Sequence, residues 1–398
     1  MANSIKTERR YDLDWVRVGA FGLLILYHIG MMYVSWDYHI KSGHQSLFLE
    51  NFMVVLNQWR LPILFLVSGS AIYFIMQKVA LGRFFWVRSV RLLIPLWFGM
   101  FVIVLPQVYF ELKFKGYADL TVFQFLTAYY TFDQSFDTHI PTWNHLWFVA
   151  YLWVYSLIFI PALYFLKTSK GEKLASYLTF DKMPGWLAIA LPVAIFALYY
   201  AFIRPYFPST HALTDDWFNH IFYLTIMIFG YMLAGSTKVW NWLKIHRKKI
   251  VLGALLSASA ILVLRNSPLM DWQEWPDWMF YSTRLLLTLN LWLWILGILA
   301  MAFAHINKPS KKLAYLNEAV YPFYILHQTI IIMIGYPLSQ WAGFNIYGET
   351  AVLIVGTFGL CYLLYEYLIR RIGILRFLFG MKPKNFLTSA KVGERVTA

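Results

Sequence analysis

The sequence predicts an all-α, polytopic integral membrane protein of about ten transmembrane helices with both termini cytoplasmic. Three observations carry this. Of the 398 residues, 60% are hydrophobic and 14% charged, where soluble domains carry about 25% charged residues. Apolar runs recur at about 15–36, 51–77, 92–110, 143–166, 186–203, 217–235, 250–264, 279–304, 319–338 and 349–369. Most approach the roughly 20 residues a helix needs to cross a bilayer. With that many crossings, Lys and Arg concentrate on the side of the termini, and only Lys41, Lys113, Lys115, Arg204 and Arg265 fall in the opposite segments. This is the positive-inside pattern. It accounts for the net charge of +14 through membrane orientation rather than a nucleic-acid partner.

The first run is too long for a signal-peptide core and reads as a mature helix. It carries Asp14 and Arg17 at one end and His28 well inside. From Arg17 to His28 is about 16 Å of helix rise and three turns plus roughly 20°, so both side chains share one face. A fixed cation at the surface and an imidazole near mid-depth suggest a polar channel. Alone, His28 also has a blander reading, as a core histidine bonded to a neighbouring helix. Aligned with Arg17, it suits general-base work on a hydroxyl.

Charges inside a span are costly and mark polar cavities by default. In the second run Arg60 precedes Pro62 and the pair Ser68-Gly69. Either the proline and small residues open the helix beside a cavity, or they permit close helix packing. Arg60 lies too deep for a surface anchor and is expected to reach the non-cytoplasmic mouth or a carboxylate such as Asp37. Arg88 and Arg91 form an R-x-x-R pair where the third run begins. Residues so spaced share a helix face, and guanidinium forks hold phosphates; ordinary anchoring is the other reading.

His145 and Trp147 open the fourth run at the non-cytoplasmic interface. There tryptophans form belts and a histidine can meet a sugar hydroxyl. In the ninth run Asn317, Tyr321, Tyr324 and Gln328 share a face with His327 beside it. Arg284 is a further buried charge with no partner evident in sequence. The basic tail, about 371–398, is expected on the cytoplasmic leaflet. No repeat or second soluble domain is visible, so 1–398 reads as a single transmembrane domain. The one cysteine, Cys361, excludes an intramolecular disulfide. No metal motif, phosphate-binding loop, nucleophile elbow or dinucleotide fingerprint is present. On residues alone, an enzyme, a secondary transporter or exporter of a glycan or acylated intermediate, and an inactive scaffold subunit all remain open.

The ordered set D-x-x-R-x10-H (Asp14, Arg17, His28), P-x5-S-G (Pro62 to Gly69), R-x-x-R (Arg88, Arg91), HLWF (His145 to Phe148) and YPFYILH (Tyr321 to His327) resembles the membrane acyltransferase-3 family. Within it the opening resembles the branch of glucan biosynthesis protein C succinyltransferases. The resemblance implies transfer of an acyl group, acetyl or succinyl, from cytoplasmic acyl-CoA to a hydroxyl of an extracytoplasmic glycan or similar acceptor, in a bacterial inner membrane. It makes His28 the catalytic base or acyl relay, with Asp14 and Arg17 in the same motif. It implies that Arg17, Arg88 and Arg91 hold the CoA phosphates and that Ser68 and Gly69 line the acyl path. Acceptor contacts are then expected from Arg60, His145, Trp147, Tyr324 and His327. Acyl-CoA is a co-substrate on this reading, and no metal is expected.

Overall fold

The computed structural model describes residues 9–178, 180–267, 276–341 and 343–382, with backbone alone for 175–178. Helices follow one another without a strand among the described residues: α1 (Tyr11–Gly30), α2 (Leu47–Met76), α3 (Leu81–Phe98), α4 (Leu105–Phe114), α5 (Val122–Thr131), α6 (Trp147–Leu166), α7 (Ser169–Leu178), α8 (Leu187–Phe202), α9 (Trp217–Ala234), α10 (Thr237–Arg265), α11 (Asp277–His305), α12 (Lys311–Gln340), α13 (Ile346–Leu363) and α14 (Gly373–Leu378). Every apolar run is largely helical, the third being divided between α3 and α4. Among the described residues, 8 helical stretches are long and apolar enough to cross a membrane, and α8 is a shorter apolar helix.

Helix starts depart most from the hydropathy reading at α10 and α3. α10 starts at Thr237 and α3 at Leu81, well ahead of their apolar runs. Lys and Arg are good helix formers, so the helix continues where hydropathy stops. Arg88 and Arg91 therefore sit within a helix rather than at its start.

The chain forms two compact units. The first comprises residues 1–20, 51–85 and 154–313. Here α10 packs along α11, and α11 along α8. Phe196, Phe222, Phe229 and Trp292 form an aromatic core with centroids 5.2 to 5.9 Å apart. The Trp292 indole N–H donates to the Ala188 carbonyl at 2.7 Å. The start of α1 is held by Asn307, whose Oδ1 accepts from the Tyr11 N–H at 2.9 Å, satisfying one of the first-turn donors.

α2 and α9 cross at glycines. A Cβ on Gly69 would lie 1.9 Å from the Met227 carbonyl oxygen, and one on Gly230 would lie 2.0 Å from that of Leu66. Ser70 Oγ donates to the Gly230 carbonyl at 2.8 Å across the same crossing. Of the two readings of Pro62 and Ser68-Gly69, helix opening and close packing, this geometry supports close packing. The helix runs unbroken past Pro62, Ser68 Oγ bonds back to the Leu64 carbonyl at 2.8 Å, and Gly69 serves close backbone approach.

The second unit comprises residues 21–50, 86–153 and 314–398. Ile25, Ile29, Met32, Tyr33, Ile40, Ile331, Ile332, Leu338 and Leu353 form its core. The backbone opens after Pro95, where residues Gly99–Ile103 make a wide π turn between α3 and α4. Such turns leave carbonyls off the regular ladder, and in a low-dielectric setting those need partners. Hydroxyls supply them: Tyr129 to Met100, Tyr130 to Phe101 and Thr329 to Ile103, at 2.7 to 2.8 Å.

At the end of the second unit, residues up to Lys382 are packed, and Arg376 is only 2% exposed. It pairs with Glu318 at 2.8 Å. The tail beyond Lys382 lies outside the described residues.

The glycine crossing yields a test. Gly230→Leu forces side-chain atoms into a backbone carbonyl that cannot yield, so it should destabilise the protein by about 3 kcal/mol or more. Thermal unfolding of purified protein checks this; an unchanged midpoint would refute the close crossing.

Candidate active site

Four sequence-predicted residues meet in the second unit: His28 from α1, His145 from the single turn before α6, and Tyr324 and His327 from α12. His28 Nδ1 lies 2.8 Å from His327 Nε2. Their rings stack at 5.0 Å with 11° between planes. His327 Nδ1 lies 2.6 Å from the Tyr324 carbonyl oxygen. A carbonyl only accepts, so His327 Nδ1 carries the proton, and in the neutral ring Nε2 then holds a lone pair. His28 must therefore donate from Nδ1. The chain fixes His28 as the tautomer whose Nε2 is the basic nitrogen.

His145 is set by the same carbonyl. Its Nε2 lies 3.1 Å from the Tyr324 oxygen and 3.2 Å from that of Ile325, so Nε2 is its donor. Its Nδ1 is buried with no partner among the described residues, and its ring stands edge-on to His327 at 5.0 Å. The Tyr324 hydroxyl donates back to the His145 carbonyl. Trp147 is buried against Tyr151 at 5.0 Å, rather than facing the interface as a belt residue would.

Sequence reading missed a second layer. The segment after α1 carries Tyr38, His39 and Lys41 (SWDYHIK), all polar groups close behind an intramembrane histidine, which was the available signal. Lys41 Nζ donates to the carbonyls of Met31, Val34 and Trp36, which follow the end of α1. Burial lowers its pKa, opposed by Asp37 and Glu50. Glu50 also accepts from the Ser35 N–H at 2.8 Å, and Glu349 from Ser42 Oγ at 2.6 Å. The loop so pinned places the Tyr38 ring parallel to His28, 6.4 Å away. The Tyr38 hydroxyl is buried and has no hydrogen-bond partner among the described residues.

His39 Nδ1 bonds Glu111, and its Nε2 accepts from the Gln328 amide at 2.8 Å. Glu111 is held in turn by Lys115 at 2.6 Å and Thr138 at 3.2 Å. On the next residue, Thr329 Oγ1 accepts from Gln107 at 2.7 Å, and Gln107 accepts from Asn144 at 3.0 Å. The residues that follow His327 on α12 are thus tied to α4 by two polar chains. These hold the helix turn that carries the histidine.

The other predicted residues are each placed within their own unit. Arg88 and Arg91 lie in the second unit, where Arg91 Nε donates to the Gly380 carbonyl at 3.1 Å. Asp14, Arg17, Arg60, Ser68 and Gly69 belong to the first unit. Arg17 pairs with Asp14 at 3.2 Å, and Arg9 shares that carboxylate at 3.1 Å. Arg60 is buried beside Asn57, its Nη2 donating at 3.2 Å. It acts on His211, whose pKa is lowered by burial first, with Asp216 opposing and Arg60 adding to the fall. Arg284 lies over the Phe280 ring at 4.6 Å, a cation–π contact that gives it a place. Among the described residues no cluster of His, Cys, Asp and Glu is arranged to hold a metal ion.

Comparison with known proteins gives this arrangement its setting. Residues 10–366 match the acyltransferase domain of the acyltransferase-3 family. The chain is similar to the glucans biosynthesis protein C of Escherichia coli K12, at 25% identity over 96% of this chain and 97% of the relative. The proteins of the same name from E. coli O81 (strain ED1a) and O9:H4 (strain HS) match at the same identity and coverage. No solved structure matches the chain. With the family pattern spanning almost the whole chain, and its histidine motifs meeting in one polar cluster, the chain belongs to the acyltransferase-3 family of multi-pass membrane acyltransferases.

Proposed function

We propose that the protein is an O-acyltransferase of the bacterial cytoplasmic membrane, with both termini inside. On this reading it moves an acetyl or succinyl group from cytoplasmic acyl-CoA to a hydroxyl of an extracytoplasmic glycan, with His28 as base. The observation that carries the reading is the chain from the Tyr324 carbonyl through His327 to His28, which orients a lone pair on His28 Nε2. The relatives' name, which refers to glucans, supports a glycan acceptor. The oppositely distributed Lys and Arg residues support a cytoplasmic donor.

In the reaction the acceptor hydroxyl gives its proton to His28 Nε2 while its oxygen attacks the thioester carbonyl. The new C–O bond leaves negative charge on the former carbonyl oxygen. As the carbonyl re-forms, the C–S bond breaks and the departing thiolate takes the proton from His28, so ester and CoA thiol leave and the imidazole returns neutral. The His327 lone pair steadies the transient imidazolium through His28 Nδ1–H. Tyr38 fits the oxyanion as a donor: its hydroxyl is buried and unused by the described residues. Burial, and then the Glu111 carboxylate, raise its pKa, so it keeps its proton. His145 Nδ1 offers a lone pair to an acceptor hydroxyl. Arg88 and Arg91 offer forks for the donor's phosphates, and Arg17 joins them through the family pattern alone.

His28→Ala should lower transfer by about 10²- to 10⁴-fold while the protein still inserts and unfolds at its normal temperature. Acyl transfer from radioactive acyl-CoA measures this, and a normal rate would remove His28 from the chemistry. The same label in a single turnover separates direct attack from an acyl-histidine relay, since only the relay leaves acyl on protein. Tyr38→Phe, which deletes one oxygen, should cut kcat by about 10²-fold with the donor KM little changed; an unaltered kcat would take Tyr38 out of the oxyanion site.

A further inference from the structure

The family match ends at residue 366, yet the turn after α14 touches one of its motif residues twice. Pro95 has no N–H, so the Arg91 carbonyl four residues earlier loses its helical partner. Gly380 comes against that carbonyl. It sits at φ +66°, and a Cβ there would lie 2.7 Å from the Tyr321 ring, 2.8 Å from the Arg91 carbonyl oxygen and 2.9 Å from Pro95 Cγ. Only glycine fits this backbone and this space. The Gly380 carbonyl then accepts from Arg91 Nε at 3.1 Å. One residue meets both the main chain and the side chain of Arg91.

The turn is itself clamped. Arg376, 2% exposed, donates from Nη2 to Glu318 at 2.8 Å and to the Lys382 carbonyl at 2.7 Å. Its Nε reaches the Lys382 carbonyl at 3.1 Å, and Nη1 that of Arg370 at 3.2 Å. Phe379 packs edge-on against Phe98 at 5.4 Å. A buried guanidinium spent on three carbonyl bonds and an ion pair is an expensive way to hold a loose tail. It fits a segment that must be held in register. With Nε committed, the Nη1–Nη2 edge of Arg91 makes no hydrogen bond to the described residues. That edge is the one that grips an oxyanion bidentately.

We infer that the turn 376–382 is a positioning element that presents the Arg91 fork to a phosphate of the acyl donor, with Gly380 and Arg376 as its positioning residues. The inference rests on the acyl-CoA reading above. Tyr321, which bounds Gly380, stacks on Tyr324 at 6.3 Å, so the turn also abuts the helix that carries the histidine chain.

The test is CoA binding by the full-length protein in nanodiscs, measured by titration calorimetry, with pantetheine as the phosphate-free comparison. Gly380→Ala should raise the Kd for CoA about tenfold and leave that for pantetheine unchanged. Arg376→Gln, which spares the glycine, should raise it several-fold and serves if the first variant does not fold. In an Arg91→Ala background neither change should weaken CoA further, since the turn acts through Arg91. A general loss of structure would weaken both ligands and add to Arg91→Ala; that result overturns the proposal. If Arg91→Ala weakens CoA and the turn variants do not, the positioning role falls and the donor site stands. If the unaltered protein binds no CoA, both fall.

Discussion

A carbonyl oxygen can only accept hydrogen bonds, and the active-site cluster depends on that one constraint at Tyr324. Because this oxygen receives His327 Nδ1 and His145 Nε2, a backbone carbonyl sets the tautomer of both rings. The consequence passes to His28 through a 2.8 Å contact. An aspartate in this place would do the same orienting work. Within a membrane span it would add a charge that is costly to bury, whereas a backbone carbonyl is already paid for by the helix. A neutral orienting group keeps the histidine chain compatible with its depth in the fold.

The surrounding architecture keeps that carbonyl and its histidines in place by satisfying polar groups internally. Lys41 closes the end of α1 with three carbonyls, which fixes the loop bearing Tyr38 and His39. The wide turn after Pro95 has its carbonyls taken by Tyr129, Tyr130 and Thr329. Thr329 and Gln328 lie directly after His327, so the chains that settle α4 also hold the histidine's helix turn. Where water is scarce, such pairing is a condition of folding, and here the same bonds orient the chemistry.

Much of this is legible in the sequence, and the limits are physical. Hydropathy finds every long helix, and it misplaces the starts of α3 and α10 because helix formation tolerates Lys and Arg where hydropathy does not. His28, His145, Tyr324 and His327 each stand out as polar groups within or beside apolar runs. Their union does not, since nothing in local spacing relates residues as far apart in the chain as His28 and His327. The bond between His39 and Glu111 hides for the same reason, and both residues fall at the ends of runs, where polar side chains look unremarkable to a hydropathy scan. Ser68-Gly69 left two readings open, and the backbone approach at Met227 decides for packing. Arg376 looked like part of a surface tail because a buried arginine with carbonyl partners has no sequence signature.

The central claim is the tautomer of His28, and nitrogen-15 NMR of histidine-labelled protein, assigned by loss of a signal in His28→Gln, tests it most directly. The arrangement predicts that the neutral ring carries its proton on Nδ1 and the imine-type shift on Nε2. A proton on Nε2 instead would mean that the lone pair points at His327, and the assignment of His28 as the base would be wrong.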